Sequence, residues 1–388
     1  AQPLSDMQAA HLALSNSPDL VAMRAKVGVA DAQVFSAGLI ADPQLSASID
    51  HPAQADLVDG LTGSLGFDLM SLLGRGSRVE QARRQREQTQ LEVGWNEWIA
   101  FNHVRTLVRR VVALERQVEM AREASDAAQT LYRQSARNVQ IGDARLDDAS
   151  VYQVGWIDAQ DRALGLERQA IAARDELNTV LGLPPATVLT LKAPTVGSVV
   201  RLNPQALAQR AAEQRLDIRA LRSGYAAQEQ GVRLAVRESL PLPQLDVTRT
   251  RDTSAIWTSG LGIVLPLPLW NRNRGAIAVA IATRAQLSSE YIARLLQTRG
   301  DIAATIDDLQ RAEAQRRALA EQLPALRSAA RTVSSAAQRG DVPLTTYNTL
   351  RASLLDKELT LLLLEQAESE GEVALDTAVG QLLTETGQ

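Results

Sequence analysis

The chain has 388 residues, with 41 basic and 45 acidic side chains, a net charge of −4, 45% apolar residues and only 3% aromatic ones. That balance leaves no basic footprint for nucleic acid, and the absence of cysteine excludes disulfides, thiolate metal sites and thiol catalysis. Abundant Ala, Leu, Gln and Arg is the composition of long helices and coiled coils, and no apolar run reaches the length of about 18 residues that a transmembrane helix needs. The opening Ala1-Gln2-Pro3-Leu4 reads as a mature N-terminus left by removal of an export signal.

In chain order, a short helix is predicted over 4–16 and a second over 18–40, stopped by Pro43. Two extended segments follow. Leu45, Ala47 and Ile49 alternate with Gln44, Ser46, Ser48 and Asp50; beyond a loop over 52–59, Leu61, Leu65, Phe67 and Leu69 alternate with Thr62, Ser64 and Asp68. This period of two predicts a β-hairpin over about 43–69. A long helix is predicted over about 77–140. Its residues Val104, Leu107, Val111, Leu114, Val118 and Ala121 step by three and four, the seam of a coiled coil. A turn then leads into a returning helix over about 146–182.

The second half says the same again. Gly142, Asp143 and Leu146 of IGDARLDDAS recur 198 positions later as Gly340, Asp341 and Leu344 of RGDVPLTTYN, and the same offset puts NTVLG (178–182) on DTAVG (376–380). Pro43-Gln44-Leu45 recurs as Pro243-Gln244-Leu245. A period this long marks a duplicated half and not a solenoid repeat. The first repeat is therefore placed at 1–198 and the second at 199–388, as one interlocked unit. The second repeat has helices over 203–214 and 216–238, a hairpin over about 243–265, a long helix over about 275–338 and a returning helix over about 344–380. On this second hairpin Leu245, Val247, Trp257, Leu261, Ile263 and Leu265 share a face, which Arg249 interrupts; Phe67, Trp257 and Trp270 are the aromatics near the strands.

Four strands cannot close a barrel, since the smallest membrane barrels have about eight, and an open sheet with an apolar face exposes its edges. Three chains close it. The expected fold is mainly α with a small β part: duplicated long antiparallel helices forming a trimeric α-barrel, and two hairpins per chain forming a trimeric 12-stranded β-barrel.

The run Pro266-Leu267-Pro268-Leu269-Trp270-Asn271-Arg272-Asn273-Arg274-Gly275 resembles the second hairpin exit of TolC-type outer membrane efflux proteins. It is most similar to the heavy-metal, CzcC-like branch, where PLPLFNRNQG is usual; Trp270 replaces Phe and Arg274 replaces Gln. ADPQL and PLPQL at the hairpin starts, the paired glycine tips and the ends at Gly182 and Gly380 resemble the family too, in the right order along essentially the whole chain. The resemblance implies a homotrimeric conduit in the outer membrane and periplasm of a Gram-negative bacterium, in contact with outer-membrane lipid. Its tips would meet a periplasmic adaptor protein and an inner-membrane pump, in a tripartite efflux system that exports substances such as heavy-metal ions. It implies no enzyme and no cofactor. The alternative is a soluble periplasmic coiled-coil protein of the same fold whose β-region does not span.

Residue by residue, Asp143, Asp147, Asp148 and Asp341 are candidates for a periplasmic aperture, where carboxylates in three copies attract cations; as solvated turn residues they need no such role. Family apertures carry acids just after the tip glycine, a placement Asp148 matches while the second half has Thr346 and Thr349. Gly142 and Gly340, which tolerate positive φ, and Leu146 and Leu344 are candidates for adaptor docking or for helix reversal alone. In the hairpin-exit motif, Arg272, Asn273 and Arg274 either meet lipid phosphates or cap the long helix through Asn273. His11, His51 and His103 lack metal-ligand spacing, and neither a phosphate loop nor a catalytic triad is present.

Overall fold

The computed structural model describes residues 3–54, 56–68, 72–142, 145–194, 202–241, 243–267 and 269–383, and the side chains of Asp148 and Leu344 also lie outside this description. Within it the chain forms helices α1 (Asp6–Asn16) and α2 (Pro18–Ala37), strands β1 (Gln44–Asp50) and β2 (Gly60–Asp68), and helices α3 (Arg75–Gln140) and α4 (Leu146–Val180). It then repeats: α5 (Pro204–Gln214), α6 (Leu216–Arg237), β3 (Gln244–Arg251), β4 (Trp257–Val264), α7 (Arg274–Arg339) and α8 (Leu344–Val379).

Local chemistry sets these ends. Ser5 caps α1 in a reciprocal capping box with Gln8. Asn203 caps α5 by accepting from the amides of Gln205 and Ala206, ahead of Pro204 in the first turn. α8 stops at Gly380, whose φ of 83° lies in the left-handed region that glycine enters without strain. α7 runs through Pro324 without a break in its helical assignment.

The chain divides into two compact units. The first comprises Ala1–Val21, Asn96–Arg215 and Gln297–Gln388, and the second Ala22–Trp95 and Leu216–Leu296. The first unit holds two apolar cores. One gathers Ala9, Ala10 and Ala13 of α1, Val104, Leu107, Val108 and Val111 of α3, and Leu177 of α4 with Leu181. The other gathers Leu207, Ala208 and Ala211 of α5, Ile302, Ile306 and Leu309 of α7, and Leu375 and Val379 of α8. Each member of the second core is the counterpart, 198 positions on, of a member of the first, so the duplication is a repeat of packing as well as of sequence.

The first core has a charged neighbour without a counterpart. Arg105 of α3 donates to Asp376 at 2.9 Å and to Asn102 at 2.7 Å. Arg109, one turn on, donates to Asp6 at 3.0 Å, to Glu372 at 3.0 Å and to the Ser369 carbonyl at 2.7 Å. Arg105, Arg109 and Asp376 are buried. Further along, Arg110 grips Glu370 with two bonds of 3.1 and 2.8 Å, which raise its pKa.

In the second unit the four strands form one antiparallel sheet in the order β1-β2-β3-β4. β2 pairs with β3, from Leu61 opposite Arg251 to Asp68 opposite Gln244, so the two hairpins join within one chain. β1 and β4 each keep one edge without a strand partner among the described residues.

Candidate functional site

Because side chains alternate along a strand, the register sorts the sheet into two unlike faces. On one, the rows across the sheet read Ile49-Leu61-Arg251-Trp257, Ala47-Gly63-Arg249-Ser259, Leu45-Leu65-Val247-Leu261 and Phe67-Leu245-Ile263. On the other they read Ser48-Thr62-Thr250-Thr258, Ser46-Ser64-Thr248-Gly260 and Gln44-Gly66-Asp246-Gly262. The apolar face is uncovered: Leu45 is 80% exposed, Leu261 79% and Ile263 69%. The opposite face is small and hydroxyl-rich, with the Ser46 and Ser64 hydroxyls 2.7 Å apart. An exposed apolar face with a small polar face behind it is the alternation of a barrel wall between lipid and a water-filled lumen.

The loop end of the sheet is knitted together. Val58 donates its amide to the Thr253 carbonyl at 3.0 Å, His51 Nδ1 lies 2.9 Å from Asp59, and Asp252 accepts the amides of Ser254 and Ile256. Arg249 places its guanidinium 5.2 Å from the centroid of the Trp257 ring.

At the other end, the hairpin-exit motif leads from β4 into α7. Pro266 is exposed, Trp270 is 84% exposed and Pro268 lies outside the described residues. Arg272 and Asn273 have φ of 46° and 54°. The turn thus puts two non-glycine residues in the left-handed region, where Asn is among the most tolerant side chains. Asn271 accepts the amide of Arg274 at 3.0 Å. The Asn273 side-chain amide donates to the Ala235 carbonyl of α6 at 2.8 Å. Arg274 folds back on the Trp270 carbonyl at 3.2 Å. Gly275, in the first turn of α7, has open space where a Cβ would stand.

Both helical tips lie in the first unit. Gly142 and Gly340 have φ of 83° and 82°, which lets the chain reverse at a position where other residues are strained. Ile141 and Leu146 are exposed apolar residues at the first tip. Asp147 takes a 3.1 Å bond from Arg145, and Asp341 a 2.8 Å bond from Arg339. Each of these tip carboxylates therefore has its own arginine two residues before it. Asp143 and the side chains of Asp148 and Leu344 lie outside the described residues.

Near these tips a cavity of about 190 Å³ lies between α3, α4 and α8, lined by Ala124, Tyr152, Gly155, Asn348, Arg351 and Leu355 among others. No group of three His, Cys, Asp or Glu side chains able to hold a metal ion is found among the described residues, and no helix among them is long and apolar enough to cross a membrane.

Two features escaped the sequence reading. Arg251 shares the face of Arg249, which its place two residues on along the strand signals. The buried pairing of Arg105 with Asp376 joins residues far apart in sequence; its one local sign is a pair of arginines, Arg105 and Arg109, one helical turn apart beside the apolar seam.

Comparison with known proteins yields a family and a fold. No curated protein matches the sequence significantly. Among solved structures, the outer-membrane channel OprN matches with a TM-score of 0.83 at 17% identity, over 96% of this chain and 89% of that one. The outer membrane protein VceC from Vibrio cholerae matches with a TM-score of 0.79 at 19% identity, over 96% and 95%. CusC, solved in connection with folding and transmembrane channel formation, matches with a TM-score of 0.78 at 19% identity, over 97% and 92%. Their shared architecture is the TolC-like channel fold. The outer membrane efflux protein family matches residues 9–183 and again 207–381, two segments 198 positions apart. Covered over most of its length by that doubled match, and carrying a sheet with one bare apolar face, the chain belongs to the outer membrane efflux protein family.

Proposed function

We propose that the chain is the outer-membrane channel of a tripartite efflux system, acting as a homotrimer and as a passive conduit. The observation that carries this is the sheet: one exposed apolar face, one face rich in Ser, Thr and Gly, and two edges without strand partners among the described residues. Three copies joined edge to edge, β4 of one to β1 of the next, remove every edge, enclose a lumen lined by the small polar face and turn the apolar face to lipid. The duplicated helices continue the conduit, each half being one copy of the same unit. At its tips, Gly142, Leu146, Gly340 and Leu344 dock a periplasmic adaptor that links to an inner-membrane pump. Asp147 and Asp341, with Asp143 and Asp148, frame the aperture. The motif from Pro266 to Gly275 sits at the membrane boundary, where the exposed ring of Trp270 suits the interface. No bond is made or broken in transit, and the protein's work is to exclude lipid and admit cargo.

For cargo we favour heavy-metal cations. The hairpin-exit motif resembles the heavy-metal branch, and the charged residues of the polar face are all acidic: Asp50, Asp68 and Asp246. Such a lumen attracts cations.

Strands β1, β3 and β4, of seven, eight and eight residues, fall short of the about 9–11 that cross an outer membrane, and β2 with nine only reaches the lower bound. That observation favours a second reading, a soluble periplasmic assembly of the same fold. Mass in mild detergent and conductance in planar bilayers separate the two. A trimer that conducts, with cations preferred over anions, is expected. A detergent-independent soluble protein without conductance would overturn the channel.

A further inference from the structure

The apolar face of the sheet has one interruption, and it is basic. Arg249 and Arg251 are the charged residues on that face, and they lie in its two rows nearest the loops. Around Arg249 the row is small, with Ala47, Gly63 and Ser259 beside it. The register therefore leaves a notch, with Leu65, Val247 and Leu261 below and Leu61, Arg251 and Trp257 above. Trp257 holds the Arg249 guanidinium against its ring, 5.2 Å from the centroid.

Three carboxylates at this end of the sheet are engaged elsewhere or face away. Asp252 accepts the amides of Ser254 and Ile256, Asp59 faces His51, and Asp50 belongs to the opposite face, opposite Gly60. Neither arginine has an ion-pair partner among the described residues. Two unmatched guanidinium groups on a face otherwise built for hydrocarbon require an anion, or they hold the face away from lipid.

We propose that this notch binds the phosphate of an anionic lipid headgroup, with Arg249 and Arg251 as its ligands. The inference rests on the membrane-barrel reading above. A planar guanidinium takes a phosphate through two parallel N–H bonds, and the Trp257 ring 5.2 Å away gives that of Arg249 a π contact that uses none of its N–H donors. The arginine stems lie along apolar surface while their heads reach the polar boundary, where a charge on the lipid face is tolerated and tryptophan is at home. The rows of Leu65, Val247 and Leu261 offer the acyl chains a surface, which a free phosphate ion would not use.

The test uses the full chain in detergent micelles or nanodiscs, with bisphosphorylated lipid A, dephosphorylated lipid A and inorganic phosphate as probes, and counts bound lipid by native mass spectrometry and equilibrium binding. The bisphosphorylated lipid is expected to bind at least about tenfold tighter than the dephosphorylated one, the scale of a single charge-assisted bond, and inorganic phosphate is expected to leave it in place. The Arg249→Gln, Arg251→Gln double variant loses that preference while conducting like the wild type. Equal binding of the two lipids, an unchanged preference in the double variant, or full displacement by inorganic phosphate overturns the proposal. Should the glutamine variant fail to assemble, Arg249→Lys with Arg251→Lys decides, since it keeps the charge and loses the fork; unchanged lipid affinity there is equally fatal. A wild-type chain that conducts without lipid preference removes only this site, whereas one that never conducts removes the channel beneath it.

Discussion

Leucine has two fates in this chain. In the first unit Leu107, Leu177 and Leu181 are fully buried in a core that the chain closes by itself. In the sheet Leu45 and Leu261 stand almost as open to solvent as a side chain can. The residue type is the same and the surroundings differ: one group is sealed by helices of its own chain, while the other is left bare by it. Stability in water should therefore reside in the helical unit, and affinity for a membrane in the sheet, with little exchange between them.

The comparison can be broken most severely at the buried ion pair. Asp376→Ala leaves Arg105 without the carboxylate 2.9 Å away and with Asp6, at 3.7 Å, as its remaining ion-pair partner among the described residues, and breaking a buried pair costs up to about 3–5 kcal/mol. The expected result is a large fall in the guanidinium midpoint of the helical signal, and an unchanged midpoint would show that Arg105 finds another partner. Next, Leu107→Ala should lose about 2–5 kcal/mol by leaving a cavity, while Leu261→Ala, read in the same denaturation, should lose less than about 0.5 kcal/mol. Equal losses at the two leucines would dissolve the contrast. Third, Leu261→Arg puts a charge in the middle of the lipid face and should weaken membrane insertion by up to about 2–4 kcal/mol, with helical melting unaltered; vesicle flotation measures the first and circular dichroism the second. A modest effect isolates one helix end: Asn203→Ala removes the cap of α5 and should cost about 1 kcal/mol with no change in flotation.

How much of this was legible in the sequence follows from the range of the forces involved. Helices and hairpins were visible because burial imposes periods of 3.6 and two on neighbouring residues, and the two glycine tips because positive φ has few occupants. The counterpart cores were readable in outline, since Val104 and Ile302 stand on matching seams. What could not be read lies in pairings across long separations. That β2 joins β3 is decided by edges meeting in space, and that Arg105 meets Asp376 by the packing of α8 on α3. The exit turn was hidden for another reason: its two left-handed residues, Arg272 and Asn273, and the bond from the Asn273 amide to Ala235 of α6 carry no sequence signature. Of the candidate tip residues, the arginine beside each described carboxylate was in plain view in the sequence, at Arg145 and Arg339, but was not read with it.

The central seam of the sheet also sets a timetable. Each hairpin can zip from its own loop, a fast local event, but the β2–β3 seam unites strands separated by everything from α3 through α6. Such a contact pays the full loop-closure entropy before it returns anything, and high contact order slows folding. A chain delivered N-terminus first must hold its first hairpin with a bare edge and a bare apolar face until the second arrives. The interval between the two halves is thus the period of greatest exposure to aggregation, and the one in which a holding chaperone has most to protect.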